Sequence, residues 1–164
     1  TAEDAGRLGR LYLMLSESYA DEARRYLKRA VDGGGTVEEK VALGNALLYL
    51  GDARGARQIY LDVSRRRPQD PVLLVNLALA EKAMGDTPSA YGRLRQVMLK
   101  TKDPDIEHAS SLGIAEIQFA SRDYTGAKIQ LLKILNKRPK DPEALKLLNE
   151  IYEKEGRKGK GEHR

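Results

Sequence analysis

The sequence predicts an all-α fold of antiparallel helix pairs stacked into a right-handed solenoid and closed by a C-terminal capping helix. Three observations lead there. The first is a pattern that returns about every 34 residues. Leu43-Gly44-Asn45-Ala46, Gly51-Asp52, Ala56, Tyr60 and Pro68 are followed by Leu77-Ala78, Gly85-Asp86, Ala90 and Leu94. After a slip of three positions come Ile114-Ala115, Arg122-Asp123, Ala127, Leu131 and Pro139. The second is that apolar residues between the breakers recur near the helical period of about 3.6, with no strand pattern. The third is composition. One Phe, eight Tyr and no Trp do not supply a large central core. They suit thin layers of Leu, Ala, Val and Ile. A helical hairpin cannot bury its apolar face alone, whereas stacked hairpins cover one another.

The first pair spans about residues 3–15 and 19–32. Leu8, Leu11, Tyr12 and Leu15 mark one face, and Ala23, Leu27, Ala30 and Val31 the next. Gly33-Gly34-Gly35 ends the second helix, because three glycines cost too much backbone entropy to stay helical. Thr36 caps the next helix, with Glu38 and Glu39 near its positive start. The second pair spans about 37–50 and 53–66. Val41, Leu43, Ala46, Leu47 and Leu50 supply its first face, and Ala56, Ile59, Tyr60 and Val63 its second. Gly51 stops one helix and Asp52 caps the other. Pro68 and Pro71 bracket the next turn, where Asp70 caps a helix with Pro71 at its first position.

The third pair spans about 71–84 and 87–101. Gly85-Asp86-Thr87-Pro88 reads as stop, cap and proline start. Lys102-Asp103-Pro104-Asp105 forms a longer junction. The fourth pair spans about 105–121 and 124–137, joined by Ser121-Arg122-Asp123. Pro139 and Pro142 repeat the spacing of Pro68 and Pro71. The capping helix, about 142–155, sets Leu145, Leu148, Ile151 and Tyr152 against a polar side of Lys146, Glu150, Glu153 and Lys154. The array thus covers 1–156, with repeats at about 3–35, 37–70, 71–104 and 105–140. A basic, disordered tail is expected at 157–164. At the crossings, Gly44 or Ala78 meets Ala56 or Ala90 closely, and Tyr60, Leu94 or Leu131 fills the gap to the next unit.

Charge and composition exclude several functions. The net charge is +5, but the last eight residues hold four Lys/Arg and one Glu, so +3 of it belongs to the tail. That tail reads as a solvated end, with a basic arm for nucleic acid or anionic lipid as the alternative. There is no cysteine, which excludes disulfides, thiolate metal sites and a thiol nucleophile. No run approaches the roughly 18 apolar residues of a membrane helix. The chain begins at Thr1 and reads as a processed or trimmed product, with any signal peptide or lipidated Cys outside it.

The repeating positions resemble those of the tetratricopeptide repeat. Leu43-Gly44-Asn45-Ala46 through Pro68 matches one motif, and Asn76-Leu77-Ala78 through Leu94 a second. Ala127, Leu131 and Pro139 support a third. Gly9 and Ala23 suggest a diverged first unit with two extra residues in its turn. The pattern departs at Lys40 and Leu74, where the family carries an aromatic, and at Leu47 and Glu81, where it carries tyrosine. The resemblance implies a non-enzymatic scaffold whose first helices line a groove for a partner's peptide or helix. The groove residues carried over are Val41, Asn45, Leu48, Val75, Asn76 and Leu79, with Lys82, Glu116 and Phe119. A looser resemblance, over Pro71–Ser89, is to bacterial tight-adherence pilus assembly lipoproteins. It implies an envelope assembly factor in the periplasm or on the outer membrane.

Asn45 and Asn76 stand out because an amide both donates and accepts. They suit the backbone of an extended peptide, while Leu48, Leu79 and Phe119 suit its side chains. The plain alternative is that they bond neighbouring polar groups. The clamp by which some family members hold a C-terminal carboxylate is not expected. Val41, Ala109 and Gly113 stand where it needs cations, and an unpaired carboxylate is costly to bury. Arg65-Arg66-Arg67 complements a helix end. Arg24, Arg25, Lys28 and Arg29 are diluted by Asp21, Glu22 and Asp32. No catalytic or metal site and no cofactor is expected. His108 and His163 are far apart, and Gly33-Gly34-Gly35 lacks the Lys-Ser/Thr of a phosphate loop. Glu38, Glu39, Glu107 and Glu116 read as solvated helix surface. Self-assembly through Leu8, Leu11 and Leu15 of the first helix is the rival to partner binding.

Overall fold

The computed structural model describes the backbone of residues 1–15 and 19–161, and their side chains apart from those of 11–15 and 157–161. Among the described residues it is helical throughout, without strands. The helices are α1 Ala2–Leu15, α2 Ala20–Asp32, α3 Val37–Tyr49, α4 Ala53–Ser64 and α5 Pro71–Ala83. They continue as α6 Thr87–Lys100, α7 Pro104–Ala120, α8 Tyr124–Lys137 and α9 Pro142–Gly161.

Side-chain caps explain where the helices begin. Asp52 and Asp123 each accept a backbone N–H three residues on, from Gly55 and Gly126, both at 2.9 Å. Asp70 and Asp103 do the same for α5 and α7, each followed by proline. These bonds satisfy donors that a helix start leaves unpaired. The stops use left-handed backbone. Gly51 and Gly85 both have φ near +82°, where a side chain would be strained. Arg122 takes the same place with φ 64° and no glycine.

The chain divides into two compact units, Thr1–Arg93 and Leu94–Arg164. In the first, α1 to α5 each pack on their sequence neighbour, and α1 and α5 also touch α3. Ala23, Leu27, Ala42, Leu43 and Ala46 form one core cluster there. Ala56, Tyr60, Val63, Leu73, Leu77 and Ala80 form another. In the second unit α8 packs against α7 and α9, around Ala115, Ala127, Leu131, Ile134, Leu148 and Ile151.

Close approach rests on missing side chains. A Cβ added to Gly9 would lie 2.5 Å from Leu27 Cγ, and one on Gly44 would lie 2.4 Å from Tyr60 Cε1. Tyr60 therefore fills its own helix pair, as well as joining Leu73 and Leu77 of α5. The expected contact with the next unit is present, and the contact within its own pair adds to it.

The last helix differs from expectation in two ways. It continues to Gly161, so the expected tail begins as helix; residues 162–164 lie outside the described residues. Its buried face is Ala144, Leu148 and Ile151, while Leu145 is 40% and Tyr152 52% exposed. Spacings of four and three keep the first three on one side, and the other two flank it. The Tyr152 ring is instead covered by the Lys128 ammonium, 5.9 Å from its centroid. Of the first-helix residues Leu8, Leu11 and Leu15, Leu8 is exposed; the side chains of the other two lie outside the described residues.

Candidate binding faces

In the first unit the start of α3, the end of α4 and the start of α5 line an open cavity of about 310 Å³. Its walls are Val37, Val41, Val63 and Val72, with Asn45 among them. Glu38, Arg67 and Asp70 form a charged rim, where Arg67 Nη2 lies 3.3 Å from Glu38 Oε1. Val41 and Asn45 thus come together, one turn apart on α3.

Asn45 is held from behind. The Tyr60 hydroxyl donates to Asn45 Oδ1 at 2.6 Å. Burial pushes the Tyr60 phenol well above its ordinary pKa, helped by Tyr49, so it remains a donor. The amide oxygen is therefore anchored, and the NH2 group supplies the donors. Leu48, half-buried, packs against the core formed by α4 and α5. On α5, Val75 is 6% exposed and offers a ligand little surface. Asn76, Leu79 and Lys82 are partly exposed.

Glu116 and Phe119 belong to the second unit and are partly buried. The Phe119 ring packs on the core and against Tyr124, with centroids 5.7 Å apart.

Two carboxylates stand apart from the sequence reading. Glu39, expected as solvated surface, is only 5% exposed. It is the third helical residue of a capping box. Glu39 Oε2 accepts the Thr36 N–H at 2.9 Å, and the Thr36 hydroxyl accepts the Glu39 N–H at 3.2 Å. Arg10 of α1 donates to its other oxygen at 3.0 Å. The Thr36 N–H bond lowers the Glu39 pKa; burial opposes, and Arg10 assists. The Thr36-x-x-Glu39 spacing was a legible signal of that box.

Glu81 is fully buried on α5. Arg93 Nε reaches both its oxygens, at 2.9 and 2.7 Å, and Arg57 Nε stands 3.6 Å away. The only hint in the sequence was a carboxylate inside the apolar run Leu77–Ala83. Elsewhere the charges behave as surface. Lys137 pairs with Glu107, Arg24 with Asp21 and Lys28 with Asp32, while Arg65 and Arg66 are exposed. His108 pairs with Asp141 at 2.7 Å, and His163 lies outside the described residues. Among the described residues no three His, Asp or Glu converge to hold a metal ion. No helix of the described residues is long and apolar enough to cross a membrane.

No family model matches the chain. Solved structures do. The crystal structure of the nearly identical TPR-like repeats of a Podosopora anserina protein, described as a kinesin light chain, superposes with a TM-score of 0.67 at 19% identity. That match covers 98% of this chain and 89% of the other. A point variant of the same protein gives 0.68 at 20% identity, over the same shares. The chain therefore has the tetratricopeptide-like repeat fold.

Proposed function

We propose that the protein is a non-enzymatic scaffold that binds an extended peptide or helix of a partner on the first-helix face of its repeats. The observation that carries this reading is the Asn45–Tyr60 bond beside the valine-walled cavity. An amide anchored through its oxygen presents its N–H donors in a fixed direction, which suits a peptide carbonyl. Val41, Val72 and Leu48 offer apolar surface for a side chain. Asn76, Leu79 and Lys82 extend the same face on α5. Glu116 and Phe119 are the corresponding candidates in the second unit. The pilus-assembly and self-assembly readings have no support beyond the sequence patterns that prompted them.

The test is selection from a displayed random-peptide library, followed by affinity measurement on variants. Asn45→Asp keeps an acceptor for Tyr60 but removes the donors; Leu79→Glu and Asn76→Ala alter the face on α5. Selected peptides should bind the intact chain and lose about tenfold or more on Asn45→Asp, the size of a hydrogen bond to a ligand. Peptides that bind all three variants as tightly as the intact chain would sink the proposal.

A further inference from the structure

The second unit holds a cavity of its own, of about 180 Å³, at the ends of its helices. Met98 of α6, Pro104 at the start of α7 and Ile134 of α8 give it apolar walls. Two polar groups on those walls, His108 and Ser111, are already engaged. His108 Nε2 lies 2.7 Å from Asp141 Oδ2, while Asp141 Oδ1 accepts the Ala144 N–H that begins α9. The Ser111 hydroxyl donates to Met98 Sδ at 3.4 Å. An apolar guest would strand none of them. The volume lies below the roughly 300–1,000 Å³ of small-molecule sites and suits a single side chain.

The rim is cationic. Lys133, Lys137 and Arg138 stand around the mouth, two of them matched by the carboxylates of Glu107 and Asp105. Lys137 Nζ is 2.7 Å from both Glu107 oxygens, and Arg138 pairs with Asp105. Lys133 is exposed and has no carboxylate partner among the described residues.

We propose that this cavity docks an acidic segment of a partner protein. One aliphatic side chain of the segment enters between Met98, Pro104 and Ile134, and a flanking carboxylate pairs with Lys133. The apolar walls choose the anchor, and Lys133, the one lining cation not already paired among the described residues, chooses its neighbour. The site is independent of the α3 and α5 face proposed above, and either can fail alone. Exposed ion pairs contribute little and are screened by salt, so binding is modest and weakens as salt rises.

The probe is a blocked pentapeptide, Asp-Glu-Leu-Glu-Asp, titrated at low salt into the full chain carrying labelled Met and Ile methyl groups. The expected result is saturable shifts of the Met98 and Ile134 methyl signals. Replacing Leu by Ser in the peptide should abolish them. Lys133→Glu, an exposed change, should raise Kd about twofold to fivefold, the size of one exposed ion pair. The proposal is overturned if the leucine peptide leaves both methyls unmoved. It is equally overturned if the serine peptide shifts them as much, or if Lys133→Glu binds with unchanged Kd.

Discussion

Counted from the turns that join their helices, Gly44 and Tyr60 of the α3–α4 pair hold the positions of Ala115 and Leu131 in the α7–α8 pair. The first pair sets a phenol against a residue with no side chain; a methyl there would lie 2.4 Å from the ring. In the second pair a leucine shares a fully packed cluster with an alanine. The two occupants are matched in volume, as dense packing requires. Polarity follows as well. Tyr60 brings a hydroxyl that must be satisfied, and Asn45 Oδ1 accepts its hydrogen bond. Leu131 makes no such demand, and Glu116 stands where Asn45 would be. A repeat position is thus half of a pair, and its residue is explained only with the other half.

The largest expected effect concerns a third occupant of one shared position. Glu81 on α5 stands where Leu47 stands on α3 and Gln118 on α7. Arg93→Met would leave its buried carboxylate short of its main partner, at a cost of about 3 kcal/mol in urea unfolding. Glu81→Leu combined with Arg93→Met should recover most of that loss, by copying the apolar solution of α3. If the double variant is no more stable than Arg93→Met, positions are not interchangeable between helix pairs.

Next is Gly44→Ala, which overpacks Tyr60 by about 2 kcal/mol. Tyr60→Leu in the same molecule should relieve part of this, so that the two changes cost less together than their sum. Strict additivity in thermal melts would contradict the volume argument.

A smaller effect of opposite sign belongs to the turns. Arg122 holds a left-handed backbone that Gly51 holds without strain. Arg122→Gly should stabilise by about 0.5–1 kcal/mol, since relief of strain exceeds the added chain entropy. A lower melting temperature for the variant would refute that.

The smallest is a pH effect found at the start of α3. The folded pKa of Glu39 is lowered from its ordinary 4.5. Its contribution is therefore complete above that value and is lost as pH falls through the lower folded value. Glu39→Gln should flatten the acid limb of the stability profile and reduce stability at neutral pH. An unchanged acid limb would show that Arg10 and Thr36 do not hold the carboxylate.

Helix type and order were determined by the sequence alone, as were the helix ends to within two residues, except that α9 runs on to Gly161. Apolar period, aspartate caps, glycine stops and prolines act within one or two turns of chain, so they can be read locally. The close approaches at Gly44 and Gly9 were also foreshadowed by small residues at repeating positions. The candidate faces were legible only as a set of positions on first helices. Tertiary structure decided what those residues do. It brought Tyr60 to Asn45 across a helix pair, buried Val75, and set the face of α9 on Ala144 rather than Leu145. It also enclosed Glu81 between arginines 12 and 24 positions away. Burial and pairing of this kind depend on which helix packs against which, at distances set by both partners' side chains. A period in one stretch of sequence carries the phase of a helix but not the identity of the atoms it meets.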